Sequence, residues 1–114
     1  MSAQFIDEVD ENIRRLAEAS DLPQKSLDWM MAVGTTGNYP YNFSWLGRPI
    51  IQYPQDMVAM QELIWSIKPD LIIETGIAHG GSLVFSASML ALLDLDDAIA
   101  ADNTIDPKPS SRKV

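Results

Sequence analysis

The chain has 114 residues and a net charge of −8, so it forms one domain or part of one. The charge excludes nucleic acid and anionic membranes as default partners, because both require clustered Lys and Arg. The absence of Cys excludes disulfides and thiolate metal sites, and no apolar run reaches the ~20 residues that span a bilayer. The acidic amino terminus does not resemble a signal peptide, and we expect a cytoplasmic protein.

The first predicted element is a helix over residues 3–19. Apolar residues recur there at intervals of three and four and form one stripe: Phe5, Val9, Ile13 and Leu16. The sequence SDLPQ predicts a break after this helix. A short second helix is predicted from an N-cap at Ser26 to a stop at Gly34. We interpret residues 1–37 as an amino-terminal helical segment.

The next segment, GTTGNYPYNFSWLGRPIIQYP, is rich in Gly, Pro, Asn and aromatic residues and is predicted to be a long loop. Its aromatic side chains either pack over a core or line a pocket; they are Tyr39, Tyr41, Phe43, Trp45 and Tyr53. A third helix is predicted to begin at Pro54 and to stop at the sequence KPD. An apolar stripe predicts that this helix faces a core; it comprises Met57, Met60, Leu63, Ile64 and Ile67.

The continuous apolar sequence LIIE predicts a strand over residues 71–74, of the kind buried in a parallel sheet. A glycine turn and an apolar helix over residues 82–93 follow. Residues 94–114 lose periodicity and are predicted to form a loop that leads to a second strand, of which SRKV would be the beginning.

One parallel strand cannot satisfy its own backbone N–H and C=O groups, because its ladder partners must come from elsewhere. The pattern therefore predicts an α/β chain that holds helices plus the first parallel strand of a doubly wound fold, as an amino-terminal fragment or a truncated product. The alternative is a small α-rich domain in which residues 71–74 join a helix or a two-stranded edge.

The glycine turn carries the strongest chemical signal. Its residues are Glu74, Gly76, Ala78, Gly80, Gly81 and Ser82. The helix that follows presents free N–H groups at the carboxyl end of the strand, where α/β proteins bind ligands. Ala78 occupies the middle position of the dinucleotide pattern G-x-G-x-x-G, and no Gly-Lys-Ser/Thr follows as in a P-loop. The sequence Glu-x-Gly-x-Ala-x-Gly instead resembles the first motif of class I S-adenosylmethionine-dependent methyltransferases. A carboxylate suits a cationic sulfonium and ammonium ligand and would repel a pyrophosphate.

Over residues 38–90 the chain resembles the cephalosporin hydroxylase family. Three patterns carry the resemblance: Trp-x-Gly-x-Pro-x-x-Gln-x-Pro-x-Asp, Lys-Pro-Asp and Glu-x-Gly-x-x-x-Gly-Gly-Ser. The resemblance implies a Rossmann-like methyltransferase fold beginning in residues 38–93, and an S-adenosylmethionine-dependent O-methyltransferase acting on a small molecule or sugar. By the same resemblance the six turn residues bind the cofactor, and the segment around Trp45, Gly47, Pro49 and Gln52 caps or flanks the site. Members are about twice as long, so the ribose-binding acid and any Mg²⁺ ligands are expected outside this chain.

Other candidate sites are weaker. His79 is the only histidine and is more simply a turn residue than a general base, so the catalytic residues are left unassigned. Three acidic residues are interpreted as a solvated helix end rather than a metal site: Asp94, Asp96 and Asp97. Two rival functions stay open: a catalytically inactive piece that serves interaction or oligomerisation, and a nucleotide-binding Rossmann half. A second copy of the chain is therefore a candidate partner beside the small-molecule substrate.

Overall fold

The computed structural model describes residues 2–106 and 110–114. These residues fall into two compact units, a first up to Asn38 and a second from Tyr39 to Val114. None of the helices in the described part of the chain combines the length and the apolar character that crossing a bilayer requires.

The first unit consists of two helices. Helix α1 spans Ala3–Glu18, and the side chain of Ser2 caps it by accepting a hydrogen bond from the backbone N–H of Phe5 at 3.3 Å. This confirms the first predicted helix. The apolar stripe of α1 is exposed to solvent, with exposed fractions from 37% for Val9 to 61% for Leu16.

Helix α2 spans Leu22–Gly37, so both predicted ends of the second helix are wrong. The break predicted at SDLPQ is confirmed, since α1 ends at Glu18 and α2 begins at Leu22. Asp21, not Ser26, is the N-cap residue of α2, because proline is tolerated in the first turn of a helix. Gly34 does not stop the helix either. The chain leaves helical geometry at Asn38, whose left-handed conformation (φ 46°) lets its N–H bond the Gly34 carbonyl oxygen at 3.1 Å.

The second unit begins with a 3-10 helix, Tyr39–Tyr41, and a hairpin of two antiparallel strands, β1 (Phe43–Trp45) and β2 (Arg48–Ile50). The predicted long loop is therefore wrong for these residues. Leu46 and Gly47 both have positive φ, 45° and 81°, as a type I′ turn requires. Leu46 in such a position hid the hairpin from sequence reasoning, which expects Asn-Gly or Asp-Gly there.

Helix α3 spans Pro54–Ile67 and ends at Lys68, which adopts a left-handed conformation before the proline of KPD. Its predicted bounds are confirmed. The predicted core stripe is confirmed only in part: Ile64 is 5% exposed and Met57 is half-buried, whereas Ile67 is 68% exposed.

The predicted strand over residues 71–74 does not form as a strand. Leu71 makes one isolated parallel bridge with Lys113, held by hydrogen bonds from the Ile72 N–H to the Lys113 carbonyl (3.0 Å) and from the Lys113 N–H to the Asp70 carbonyl (2.9 Å). The pairing is parallel, but a strand requires successive pairs, and in the described residues the bridge is not extended to Ile73 or Glu74.

Helix α4 spans Gly81–Ala100, so the prediction that the helix ends at residue 93 and gives way to a loop is wrong for residues 94–100. The acidic residues that interrupt the apolar pattern form ion pairs on the helix surface and do not end it. Helix α4 supplies most of the core of the second unit, which comprises Ile50, Ile64, Phe85, Met89, Leu90 and Leu93. The described structure is thus a mixture of helices and one small sheet, as in an α/β protein.

Candidate functional site

A cavity of about 520 Å³ lies in the second unit, where the end of β2, the first turns of α3, the glycine turn and the start of α4 meet. Sites for small molecules and cofactors have volumes of roughly 300–1,000 Å³. The cavity lining contains Pro49, Ile50, Ile51, Gln52, Asp56, Met57, Met60, residues 72–79, Gly81, Ser82, Phe85 and Ser86.

The glycine turn has an alternating backbone conformation. Gly76, Ala78 and Gly80 have positive φ values of 78°, 46° and 81°, and the Gly80 N–H closes the turn on the Ile77 carbonyl at 2.8 Å. A left-handed conformation costs a residue with a Cβ about 1–2 kcal/mol. Ala78 adopts this conformation nevertheless. The sequence has alanine in place of glycine at this position, but the backbone keeps the conformation that glycine favours.

The two adjacent glycines serve different purposes. Gly80 is the N-cap residue of α4, and a Cβ placed on it would meet no atom within 4 Å. Gly81 is buried, and a Cβ there would lie 2.2 Å from the Pro49 carbonyl oxygen and 2.7 Å from the Ile50 Cα. Only glycine at position 81 therefore lets β2 pack directly on the first turn of α4, which brings the end of the hairpin into the cavity wall.

A side-chain hydrogen bond ties the two ends of the turn together. The Ser82 hydroxyl donates to Oε1 of Glu74, and both side chains are partly buried. Gly80 has no side chain with which to cap α4, so the Glu74 carboxylate supplies the negative charge that a helix N-terminus favours. A carboxylate accepts several hydrogen bonds, so Glu74 can hold the turn closed and still face a ligand.

Among the described residues, the cavity lining has three that ionise, Asp56, Glu74 and His79, and it has no Lys or Arg. Two carboxylates without a compensating basic side chain attract a cationic ligand and repel a phosphate. His79 is exposed at the rim.

Five of the six residues predicted to bind a cofactor line the cavity: Glu74, Gly76, Ala78, Gly81 and Ser82. Gly80 lies in the turn but not in the lining. The structure thus gathers these residues at one cavity, and their role in binding a cofactor stays a prediction.

Only part of the segment around Trp45, Gly47, Pro49 and Gln52, which was expected to cap or flank the site, lies at the cavity. Pro49 and Gln52 line the cavity, whereas Trp45 and Gly47 do not. Trp45 packs edge-on against Phe85 with ring centroids 4.9 Å apart, and its indole N–H donates to the Ser88 hydroxyl at 2.8 Å. The indole of Trp45 therefore packs on α4, whereas the end of β2 and the residues after it line the cavity.

Sequence reasoning missed three lining residues on α3: Asp56, Met57 and Met60. Asp56 is the last residue of the Trp-x-Gly-x-Pro-x-x-Gln-x-Pro-x-Asp pattern, which was the available signal. The methionines were interpreted only as core residues, although Met60 is 47% exposed.

The acidic residues at the end of α4 are paired with basic side chains. Arg112 bonds the carboxylates of Asp94 and Asp97, the latter at 2.6 Å, and Lys68 bonds Asp96 at 3.0 Å. A hydrogen bond from the Ser110 hydroxyl and the contact with Arg112 lower the pKa of Asp94, while the hydrogen bonds to Asp97 and Asp94 raise the pKa of Arg112. Among residues 2–106 and 110–114, no group of three or more His, Asp or Glu side chains is arranged to hold a metal ion.

Comparison with known proteins indicates the class of protein to which this site belongs. The sequence model of one family, described as rhamnosyl O-methyltransferase/CmcI, matches residues 37–114, which include the hairpin, the glycine turn and the whole cavity lining. The match indicates an O-methyltransferase-like protein. The chain belongs to this family, and the resemblance to the cephalosporin hydroxylase family seen in its motifs is confirmed. No curated protein and no solved structure matches the chain significantly.

Proposed function

We propose that the chain binds S-adenosylmethionine in the cavity formed by the glycine turn, as the amino-terminal portion of an O-methyltransferase that acts on a small molecule or sugar. The observation that carries the proposal is the composition of the cavity. A glycine turn with positive φ values lies at the N-terminus of α4 beside two carboxylates, and the described part of the lining holds no basic side chain, in a chain of a methyltransferase family. Methyltransferases in general use S-adenosylmethionine, and the rest of the fold is proposed to be Rossmann-like.

The residues present fit this cofactor. A Cβ at Gly76 would meet no atom within 4 Å, so the backbone there is open to close approach by a ligand. The first N–H groups of α4 have no partner within the helix and suit the carboxylate at the amino-acid end of the cofactor. Glu74 lies beside them and favours the positively charged groups of the same molecule.

When bound, the cofactor supplies a methyl group made electrophilic by the sulfonium to which it is attached. The chain's own contribution is to bind and orient. Apolar side chains, among them Ile50 and Phe85, form the dry part of the wall, while the turn holds the polar end. Holding two reacting groups in line is a large part of catalysis when the methyl donor is already activated.

Calorimetric titration of the full chain with S-adenosylmethionine tests the proposal, with NAD⁺ as a comparison ligand. We expect saturable binding of S-adenosylmethionine and none of NAD⁺, because the carboxylates repel the pyrophosphate. Glu74→Gln should weaken binding, whereas Glu62→Gln, an exposed change on α3 outside the lining, should not. A folded chain that binds no S-adenosylmethionine at millimolar concentration contradicts the proposal and leaves the interaction role as the better interpretation.

A further inference from the structure

The wall of the cavity contributed by α3 contains a single ionisable side chain, Asp56. It stands in the first turn of α3, after Pro54, and it is exposed. Its neighbours in this part of the lining, Gln52, Met57 and Met60, are uncharged. The two carboxylates of the cavity therefore come from different elements, Glu74 from the turn and Asp56 from the helix.

The two carboxylates also differ in what they contact. Oε1 of Glu74 accepts a hydrogen bond from the Ser82 hydroxyl, and this bond closes the turn. Within the described part of the chain, the side chain of Asp56 makes no hydrogen bond and no ion pair. An acidic residue in the first turn of a helix interacts favourably with the helix dipole, whichever side of the helix its side chain lies on. That role does not require Asp56 to face a cavity already containing a carboxylate, where the like charge is unfavourable.

The amino-acid end of S-adenosylmethionine carries an ammonium and a carboxylate, which require partners of opposite sign. The N-terminus of α4 suits the carboxylate. Glu74 accepts the hydrogen bond that closes the turn, whereas Asp56 is the carboxylate of the lining that keeps its full hydrogen-bonding capacity for a ligand. We propose that Asp56 binds the ammonium group of the cofactor and so determines specificity for ligands with an amino-acid end. This inference rests on the proposed function.

Comparing the affinities of two ligands distinguishes recognition of the ammonium group from a general change in the cavity. S-Adenosylhomocysteine carries the ammonium and no sulfonium, whereas 5′-methylthioadenosine shares the nucleoside thioether but lacks the amino-acid end. For Asp56→Asn we expect the affinity for S-adenosylhomocysteine, measured by calorimetry, to fall about tenfold, as for a lost hydrogen bond between charged groups. The affinity for 5′-methylthioadenosine should stay within about twofold of the wild-type value, since no contact with it is removed.

Two further variants exclude simpler explanations. Glu62→Gln removes one negative charge from the same helix outside the cavity and should leave both affinities unchanged. Asp56→Glu keeps a carboxylate in the first turn of α3 and should restore most of the affinity for S-adenosylhomocysteine. Thermal unfolding of each variant checks that the fold persists. If Asp56→Asn is less stable, the affinities of Asp56→Glu for the two ligands still test the inference, because that variant keeps the charge.

Equal losses for the two ligands in Asp56→Asn would overturn the inference, because they would show a general effect on the cavity. Unchanged affinities for both would overturn it as well. In either case wild-type binding of S-adenosylmethionine would leave the proposed function standing. A wild-type chain that binds neither S-adenosylmethionine nor S-adenosylhomocysteine would instead overturn the proposed function, and this inference with it.

Discussion

Gly81 lets β2 pack against α4 and also lines the cavity. Replacing it with alanine tests this packing directly. The Cβ that Gly81→Ala introduces would lie 2.2 Å from the Pro49 carbonyl oxygen and 2.7 Å from the Ile50 Cα, well inside the 3.4 Å at which ordinary contact begins. Both atoms belong to the backbone of β2, so no side chain can rotate away. Either β2 or the first turn of α4 has to move.

The cost of that movement exceeds the gain in helix propensity. Overpacking a close contact costs about 1–3 kcal/mol and sometimes more. Alanine is favoured over glycine in a helix interior by up to about 1 kcal/mol, and by less in the first turn. We expect a net loss of about 2 kcal/mol of unfolding free energy from a clash with rigid backbone. In a unit of this size that loss lowers the midpoint of thermal unfolding by roughly 8–16 °C.

Circular dichroism at 222 nm during heating measures the shift, and two glycines provide matched controls. Gly34→Ala is the same change inside α2, where a Cβ would meet no atom within 4 Å, so stability should stay level or rise. Gly80→Ala has space but positive φ, and should lose about 1–2 kcal/mol through strain alone. A Gly81→Ala chain that unfolds at or above the wild-type temperature would refute the packing argument.

Three other changes test separate contacts by thermal unfolding. Ala78→Gly should raise stability by up to about 1 kcal/mol, because glycine relieves the positive φ at a small entropic cost; a fall would show that the Ala methyl packs usefully. Trp45→Phe removes the indole N–H hydrogen bond to a serine of α4 and should cost about 1 kcal/mol, and an unchanged midpoint would contradict this. The pKa of Asp94 is lowered by Ser110 and Arg112, so its ionised form stabilises the fold above the ordinary value of about 3.9 and loses that effect as the pH falls below it. Stability should thus decline less in Asp94→Asn than in the wild-type chain between about pH 5 and pH 2, and parallel pH profiles would refute the pairing.

The local features that depend on one residue were predictable from the sequence. Pro54 at the first position of α3 and the stop at KPD follow from the missing N–H and the fixed φ of proline. The carboxylate, the glycines and the serine of the turn contributed to identifying the family, and the cavity gathers five of the six predicted residues.

The features that depend on partners distant in sequence were not predictable in the same way. The continuation of α4 past residue 93 is stabilised by ion pairs with Arg112, which lies 15 residues from Asp97 and 18 from Asp94. The strand expected at residues 71–74 requires successive ladder partners, and the one bridge to Lys113 does not supply them. Helix and strand propensities and apolar periodicity are local properties, so they reveal neither the ion-pair partner of α4 nor the missing ladder partners of residues 71–74.

The glycine turn combines positions of positive φ with one glycine that packing requires. A corner that only reverses the chain would place glycine wherever φ is positive, because glycine removes the strain at no steric cost. Here Ala78 accepts the strain, while Gly76 and Gly80 face space that is empty of protein atoms. Gly81, in contrast, is required by contact with β2. Packing therefore explains Gly81, and positive φ explains Gly76 and Gly80. Support for the proposed ligand comes instead from the cavity that Gly76 and Gly81 line, where the carboxylates of Glu74 and Asp56 favour positive charge.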